Sequence, residues 1–189
     1  MLKQLLIKCA ELTNRDDIVQ SLKKVNLVEE IENKTIQNDI YRLISYYNFV
    51  VGNLFENYLN LTYIEKLSSN ENLEIFYDDF KFKPIKIKSV KNSFGENINY
   101  NIHPLNIVVS NQSTEYCIEY DYIPNELTDL TDEVQLPAYL NQKVICYGVV
   151  SEFLASKDQF DKSEFWKNKF LYEVFKIRIK KERRLRPTF

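Results

Sequence analysis

Seven Lys or Arg and one Glu fall between Lys176 and Arg186, so this short stretch carries +6. The whole chain carries −2, which leaves −8 on everything else. The cations are Lys176, Arg178, Lys180, Lys181, Arg183, Arg184 and Arg186, and Phe189 follows them. Arg178, Lys181 and Arg184 are spaced three apart, as on one side of a helix. Favourable charge at a helix C-terminus accounts for two or three such residues, not seven. The surplus points to an acidic partner, either a protein surface or nucleic acid, with solubility as the plain alternative. Arginine and aromatic side chains are typical interface anchors. The eight residues from Lys176 to Phe189 named above are therefore the candidate partner-binding set, with Arg183–Phe189 as a basic docking tail.

Other groups are weaker candidates. Glu119, Asp121, Glu126, Asp129, Asp132 and Glu133 contain no cation among them and could offer oxygen ligands to Ca²⁺ or Mg²⁺. EF-hand spacing is absent, and a solvated loop whose Asp129 or Asp132 caps the next helix explains them as well. Lys81, Lys83, Lys86 and Lys88 alternate with Phe and Ile. They could meet phosphates, or they could line an edge strand, where lysine discourages aggregation. The single histidine, His103, precedes Pro104 in a predicted turn, which places it at the surface.

What is absent narrows the chemistry. One histidine and three isolated glycines leave no metal cluster, P-loop or dinucleotide fingerprint. There is no Cys-x-x-Cys, Gly-x-Ser-x-Gly or His-Glu-x-x-His. The expectation is a protein that is not an enzyme and carries no cofactor and no metal. Cys9, Cys117 and Cys146 are an odd, dispersed set, read as reduced, buried thiols of a cytosolic protein. Lys3, Lys8 and Glu11 interrupt any signal-like start, and no run is apolar enough for a membrane span.

The elements that must position these residues can be read from periodicity. Hydrophobic content of 44%, with 13 Tyr and 12 Phe, supplies a core. Leu2, Leu5, Leu6, Cys9 and Leu12 predict a helix over 2–12. Asn14 is expected to cap a second helix, with Asp16 and Asp17 in its first turn and Ile18, Leu22 and Val25 on its stripe. Residues 28–34 are polar and predict a loop. Thr35–Leu59 predicts a long buried helix, in which Gly52 is expected to mark a close approach of another element.

The middle predicts strands: Leu61–Lys66, then two phases of alternation on either side of Pro84, which should shift register or mark an edge. A turn at Ser93–Asn97, with Gly95 at positive φ, precedes Ile98, Tyr100 and Ile102, then Leu105–Val109. In the last strand Tyr116, Ile118, Tyr120 and Tyr122 should share one face, with Glu115, Cys117, Glu119 and Asp121 on the other. The end reads as an apolar helix over Leu136–Ala155. Asp161–Glu164 then reads as a capping box before an amphipathic helix carrying Trp166, Phe170, Val174 and Ile177. The fold class is therefore α+β: a helical bundle of N-terminal helices, a long central helix and two C-terminal helices, with an inserted antiparallel β meander at about 61–122. One domain is expected over 1–182, followed by the tail at 183–189.

Several phrases carry a family resemblance. They are Leu61–Lys66, Lys86–Val90 before the Gly95 turn, and Glu119–Pro124. The most specific are Leu127–Glu133 before Leu136-Pro137, Tyr147–Phe153, and Phe160–Phe170 with Trp166. In pattern and order, over about residues 35–180, the chain resembles the head-to-tail adaptor (connector) proteins of tailed bacteriophages. That resemblance implies a structural virion component made in the host bacterial cytoplasm and placed at the head–tail junction. It implies a homo-oligomeric ring, commonly of about twelve copies, bound to the portal protein or to other tail rings. The C-terminal segment, here Lys176 to Phe189, would dock into the portal. An acidic body would suit a channel through which genomic DNA passes during ejection without sequence-specific binding. The β region is longer than in the smallest family members, which would also fit a second-layer ring. The competing class is a nucleic-acid-binding module using the basic tail and the lysine-rich strand.

Overall fold

The computed structural model describes the backbone of residues 1–184 and the side chains of residues 1–180. The described residues form five α-helices and two small antiparallel sheets, an α+β fold. The chain divides into two compact units, one of Met1–Asn53 together with the described chain from Glu126 onward, the other of Leu54–Asn125.

The first unit is helical. Helix α1 (Leu2–Leu12) buries Leu2, Leu5, Leu6 and Cys9 of its predicted stripe, while Leu12, expected on the same stripe, is exposed at the end of the helix. Helix α2 (Asp16–Lys24) buries Ile18, Val19 and Leu22. Asn14 does not cap α2; it takes φ 55° in the connecting turn, a conformation its short polar side chain tolerates. Arg15 holds the N-cap position instead, and its guanidinium grips Asp17 through bonds of 2.8 and 2.7 Å. The polar 28–34 segment contains a 3₁₀ turn, Val28–Glu30, and buries Val28 and Ile31. Helix α3 spans Lys34–Asn57.

Two further helices complete this unit. The helix expected from Leu136 begins later, as α4 (Gln142–Ala155), because Asn141 ends the preceding turn and its side chain accepts from the Lys143 N–H. Pro137 lies within that turn and accepts from the Leu140 N–H at 2.8 Å. Helix α5 (Phe160–Arg184) follows a short turn in which Asp158 has φ 59°. It starts ahead of the expected capping box, so Asp161 sits in its first turn. Helix α4 packs against both α1 and α5.

Close packing explains the two helical glycines in opposite ways. Nothing lies within 4 Å of where a Cβ on Gly52 would sit, so Gly52 does not mark the expected close approach. Gly148 does: a Cβ there would lie 2.6 and 3.2 Å from the Val50 methyls and 3.3 Å from Phe170 Cδ2.

The second unit contains the strands. β1 (Leu61–Leu67) and β3 (Pro84–Asn92) both pair antiparallel with β6 (Tyr116–Tyr122), giving the order β1-β6-β3. β2 (Glu74–Phe76) and β4 (Tyr100–Ile102) flank β5 (Asn106–Val109) in the other sheet, in the order β2-β5-β4. The strands thus form two three-stranded sheets rather than one sequential meander. β3 lies at an edge, and its register slips between Pro84 and Lys86 and again between Ile87 and Ser89. Pro84 has no N–H to offer the ladder, which accounts for the first slip. Gly95 turns the chain at φ 83°. The core here gathers Ile75, Ile87, Val90, Ile107, Ile118 and Tyr120. Tyr122 is only half-buried, while Asp121, expected on the solvent face, is 3% exposed.

Candidate functional site

The basic residues lie along the distal half of α5. Lys176, Arg178 and Lys180 are exposed on it. Lys181, Arg183 and Arg184 continue its helical backbone, while Arg186 and Phe189 lie outside the described residues. Lys176 bonds Glu173 at 3.0 Å and stands 4.1 Å from the Tyr172 ring centre. That hydrogen bond raises the Lys176 pKa and favours its charged form.

What holds α5 in place is its inward stripe. Ser163 and Val174 are buried, and Trp166 and Phe170 are half-buried. Ser151 of α4 donates to the Ser163 carbonyl at 3.0 Å and lies 3.3 Å from its hydroxyl, a buried polar contact that sets the register of the two helices. The Trp166 ring centre lies 5.3 Å from that of Tyr147. The Lys169 ammonium covers this pair, 4.7 Å from Tyr147 and 4.9 Å from Trp166, within cation–π range.

The helix also has a second apolar stripe that the sequence reading overlooked. Phe165 and Tyr172 are each 60% exposed, Ile179 is 49% exposed and Phe175 is 47% exposed. At 100° per residue these four positions centre opposite the Ser163–Trp166–Phe170–Val174 stripe. Their spacing of seven, with Phe175 between, was visible in the chain, but the inward stripe alone satisfied a helical pattern.

Asp121 and Asp132, of the acidic residues between 119 and 133, have firm structural partners. Asp121 takes Lys88 at 2.7 Å, Thr62 at 2.9 Å and Asn60 at 3.2 Å, so a cation does serve this group. Asp132 caps no helix; its carboxylate accepts from the Thr128 and Asp129 N–H groups at 2.8 and 2.9 Å and closes a turn. Carbonyls of Asp132 and Leu130 accept from Leu2 and Lys3, satisfying N–H groups at the start of α1. Asn48 clamps the same strap through two bonds to the Leu127 backbone, of 2.9 and 3.0 Å. Among the described residues no group of three or more His, Cys, Asp or Glu side chains gathers to hold a metal ion.

A second polar centre braces the helical unit. Asp39 is 2% exposed and meets Arg15 and Lys157 at 2.7 Å each, with Arg42 at 3.8 Å. Burial alone would raise its carboxyl pKa; hydrogen bonds from Lys157 and Arg15 outweigh that and hold it below the usual carboxylate range. The Phe153 ring lies beneath both cations.

The lysines near β3 divide in use. Lys88 is tied to Asp121, while the Lys81 ammonium stands 5.4 Å from both the Tyr63 and Phe82 rings. Phe82 in turn stacks on Tyr122 at 4.4 Å. His103 is exposed between β4 and β5, where its backbone N–H donates to the Asn106 carbonyl. No helix among the described residues is long and apolar enough to cross a membrane.

No protein-family model matches the chain, and no curated protein matches it either.

Proposed function

We propose that this chain is a structural virion protein, a head-to-tail adaptor whose copies form a ring joining the portal to the tail. It performs no catalysis and needs no cofactor. The observation that carries this proposal is the element order: a helical unit built from both ends of the chain, a β unit inserted between α3 and the Glu126 strap, and a last helix bearing exposed cations. That order agrees with the resemblance carried by Leu127–Glu133, Tyr147–Phe153 and Phe160–Phe170. The distal half of α5, with Lys176, Arg178 and Lys180, serves as the docking element toward the portal or a neighbouring ring. The charge of −8 outside Lys176–Arg186 suits a channel wall from which passing DNA is repelled rather than held.

Deletion of residues 183–189 tests the docking assignment. The truncated chain should lose capture by the portal protein encoded in the same genome. Undiminished capture would remove these residues from the interface.

Nucleic-acid binding is the second reading. The observation favouring it is the Lys81 ammonium over the Tyr63 and Phe82 rings, a cation beside half-buried aromatics. It requires affinity for DNA that falls steeply as salt rises.

A further inference from the structure

We infer that the outward face of α5 is a docking seam for an amphipathic helix of another protein whose flanks carry carboxylates. This rests on α5 being the docking element, and it names the chemistry of what docks.

Phe165, Tyr172 and Ile179 recur at intervals of seven along α5, with Phe175 between the last two. All four are between 47% and 60% exposed. A seven-residue repeat keeps one edge of a helix facing a partner helix along its whole length, and aromatic and Ile side chains there supply the apolar contact. This stripe is separate from the one that packs on α4, so seating a partner requires no rearrangement of the bundle.

Charge selects the occupant. Lys162, Lys169 and Lys176 also recur at intervals of seven, Lys169 and Lys176 each four residues after a seam residue, and Arg183 continues the interval in the sequence. Such flanking positions choose partners in paired helices through opposite charge. A helix with Glu or Asp along its flank satisfies this row. A second copy of α5 laid antiparallel would set the lysine rows against each other. A parallel copy would offer one opposite-charge pair, Glu164 with Lys169 of its mate, offset by Arg178 with Arg183 and leaving Lys176 opposite Leu171. The preferred occupant is therefore an acidic helix of a different chain. Lys169 and Lys176 already lie against seam rings, 5.8 Å from Phe165 and 4.1 Å from Tyr172, so cations and rings form one continuous surface.

The test uses the full chain and two synthetic amphipathic peptides with Leu at the core positions, one with Glu and one with Lys at the flanks. Binding is read by fluorescence anisotropy of the labelled peptide. The Glu peptide should bind at least tenfold more tightly than the Lys peptide. Combined Phe165→Ser, Tyr172→Ser and Ile179→Ser should weaken it at least tenfold, while circular dichroism and thermal unfolding stay unchanged. Combined Lys162→Glu, Lys169→Glu and Lys176→Glu should reverse the peptide preference, a gain that misfolding cannot produce. Equal binding of both peptides, binding that survives the seam substitutions, or displacement by short duplex DNA of equal charge would overturn the inference. Self-association abolished by the seam substitutions would overturn it too, by making the occupant a second copy. Portal capture that is intact in both variants would sink the seam and leave the adaptor proposal standing; the peptide preference without any portal capture would do the reverse.

Discussion

The two helical glycines allow one substitution to be predicted with opposite signs at two places. Replacing Gly by Ala in a helix interior is favoured by about 1 kcal/mol, because the unfolded chain has less freedom to lose. At Gly52 nothing lies within 4 Å of the new methyl, so Gly52→Ala should stabilise by about 0.5–1 kcal/mol. At Gly148 the methyl would lie 2.6 Å from Val50 Cγ1. Val50 is 5% exposed and sits in α3, where a β-branched side chain has essentially one rotamer and cannot swing aside. Overpacking costs about 1–3 kcal/mol, and a 2.6 Å approach to a methyl that cannot swing aside belongs in the upper part of that range, about 2–3 kcal/mol. That exceeds the propensity gain of about 1 kcal/mol and leaves Gly148→Ala destabilised by about 1–2 kcal/mol. In a chain of 189 residues that is a fall in Tm of roughly 2–8 °C, against a rise of roughly 1–4 °C for Gly52→Ala. Trp166, the single tryptophan, packs on Tyr147 beside Gly148 and reports the transition by fluorescence. Adding Val50→Ala to Gly148→Ala should recover about 1 kcal/mol relative to the sum of the single changes, the signature of direct contact. If Gly148→Ala is as stable as the parent, or if both alanines move Tm the same way, the close approach of α3 and α4 at Gly148 is wrong.

Three further outcomes follow from the polar and thiol groups. Asp39→Asn should cost about 1.5–3 kcal/mol at pH 7, less than a fully buried pair because its cations stay partly hydrated, and chemical denaturation measures it. The folded Asp39 pKa is depressed, so its contribution is complete above the unfolded value of about 4 and is lost as pH falls through the folded value. The gap between parent and variant should therefore close below about pH 4, and a gap constant down to pH 2 would contradict the pairing. Asp121→Ala strips Lys88, Thr62 and Asn60 of their common acceptor and should destabilise the β unit by about 2 kcal/mol, read by backbone hydrogen exchange in β1, β3 and β6. In the native protein Cys117 should react quickly with an aromatic disulfide reagent, while buried Cys9 and Cys146 react only on unfolding. Burial also pushes the Cys9 thiol pKa up, and a second fast thiol would contradict this.

Much of the architecture was legible because it follows from local periodicity. The stripe Leu2, Leu5, Leu6, Cys9 defines α1, and the alternation from Tyr116 to Tyr120 defines β6. Where a partner distant in sequence decides, the local pattern misled. Asp121 points to the polar side of β6 by alternation, yet Lys88 and Thr62 from both flanking strands close over it. Gly52 and Gly148 look alike in sequence, and only the packing of α3 against α4 separates them. Apolar residues 136–140 are followed after only Asn141, Gln142 and Lys143 by the apolar stretch from Val144, so the pattern read as one helix from Leu136; the Asn141 cap places its start. The cations of the distal half of α5 were plain in composition. The seam beside them was hidden because α5 carries two opposed stripes, and the one containing Trp166 was sufficient to explain a helix.

The central claim is met most directly by negative-stain electron microscopy of this chain mixed with the portal protein encoded in the same genome. An adaptor adds a ring of density to one end of the portal, with the portal's own symmetry, and that ring disappears when the α5 cations Lys176, Arg178 and Lys180 are reversed to Glu. A portal left bare at saturating concentrations of the intact chain would contradict the adaptor assignment.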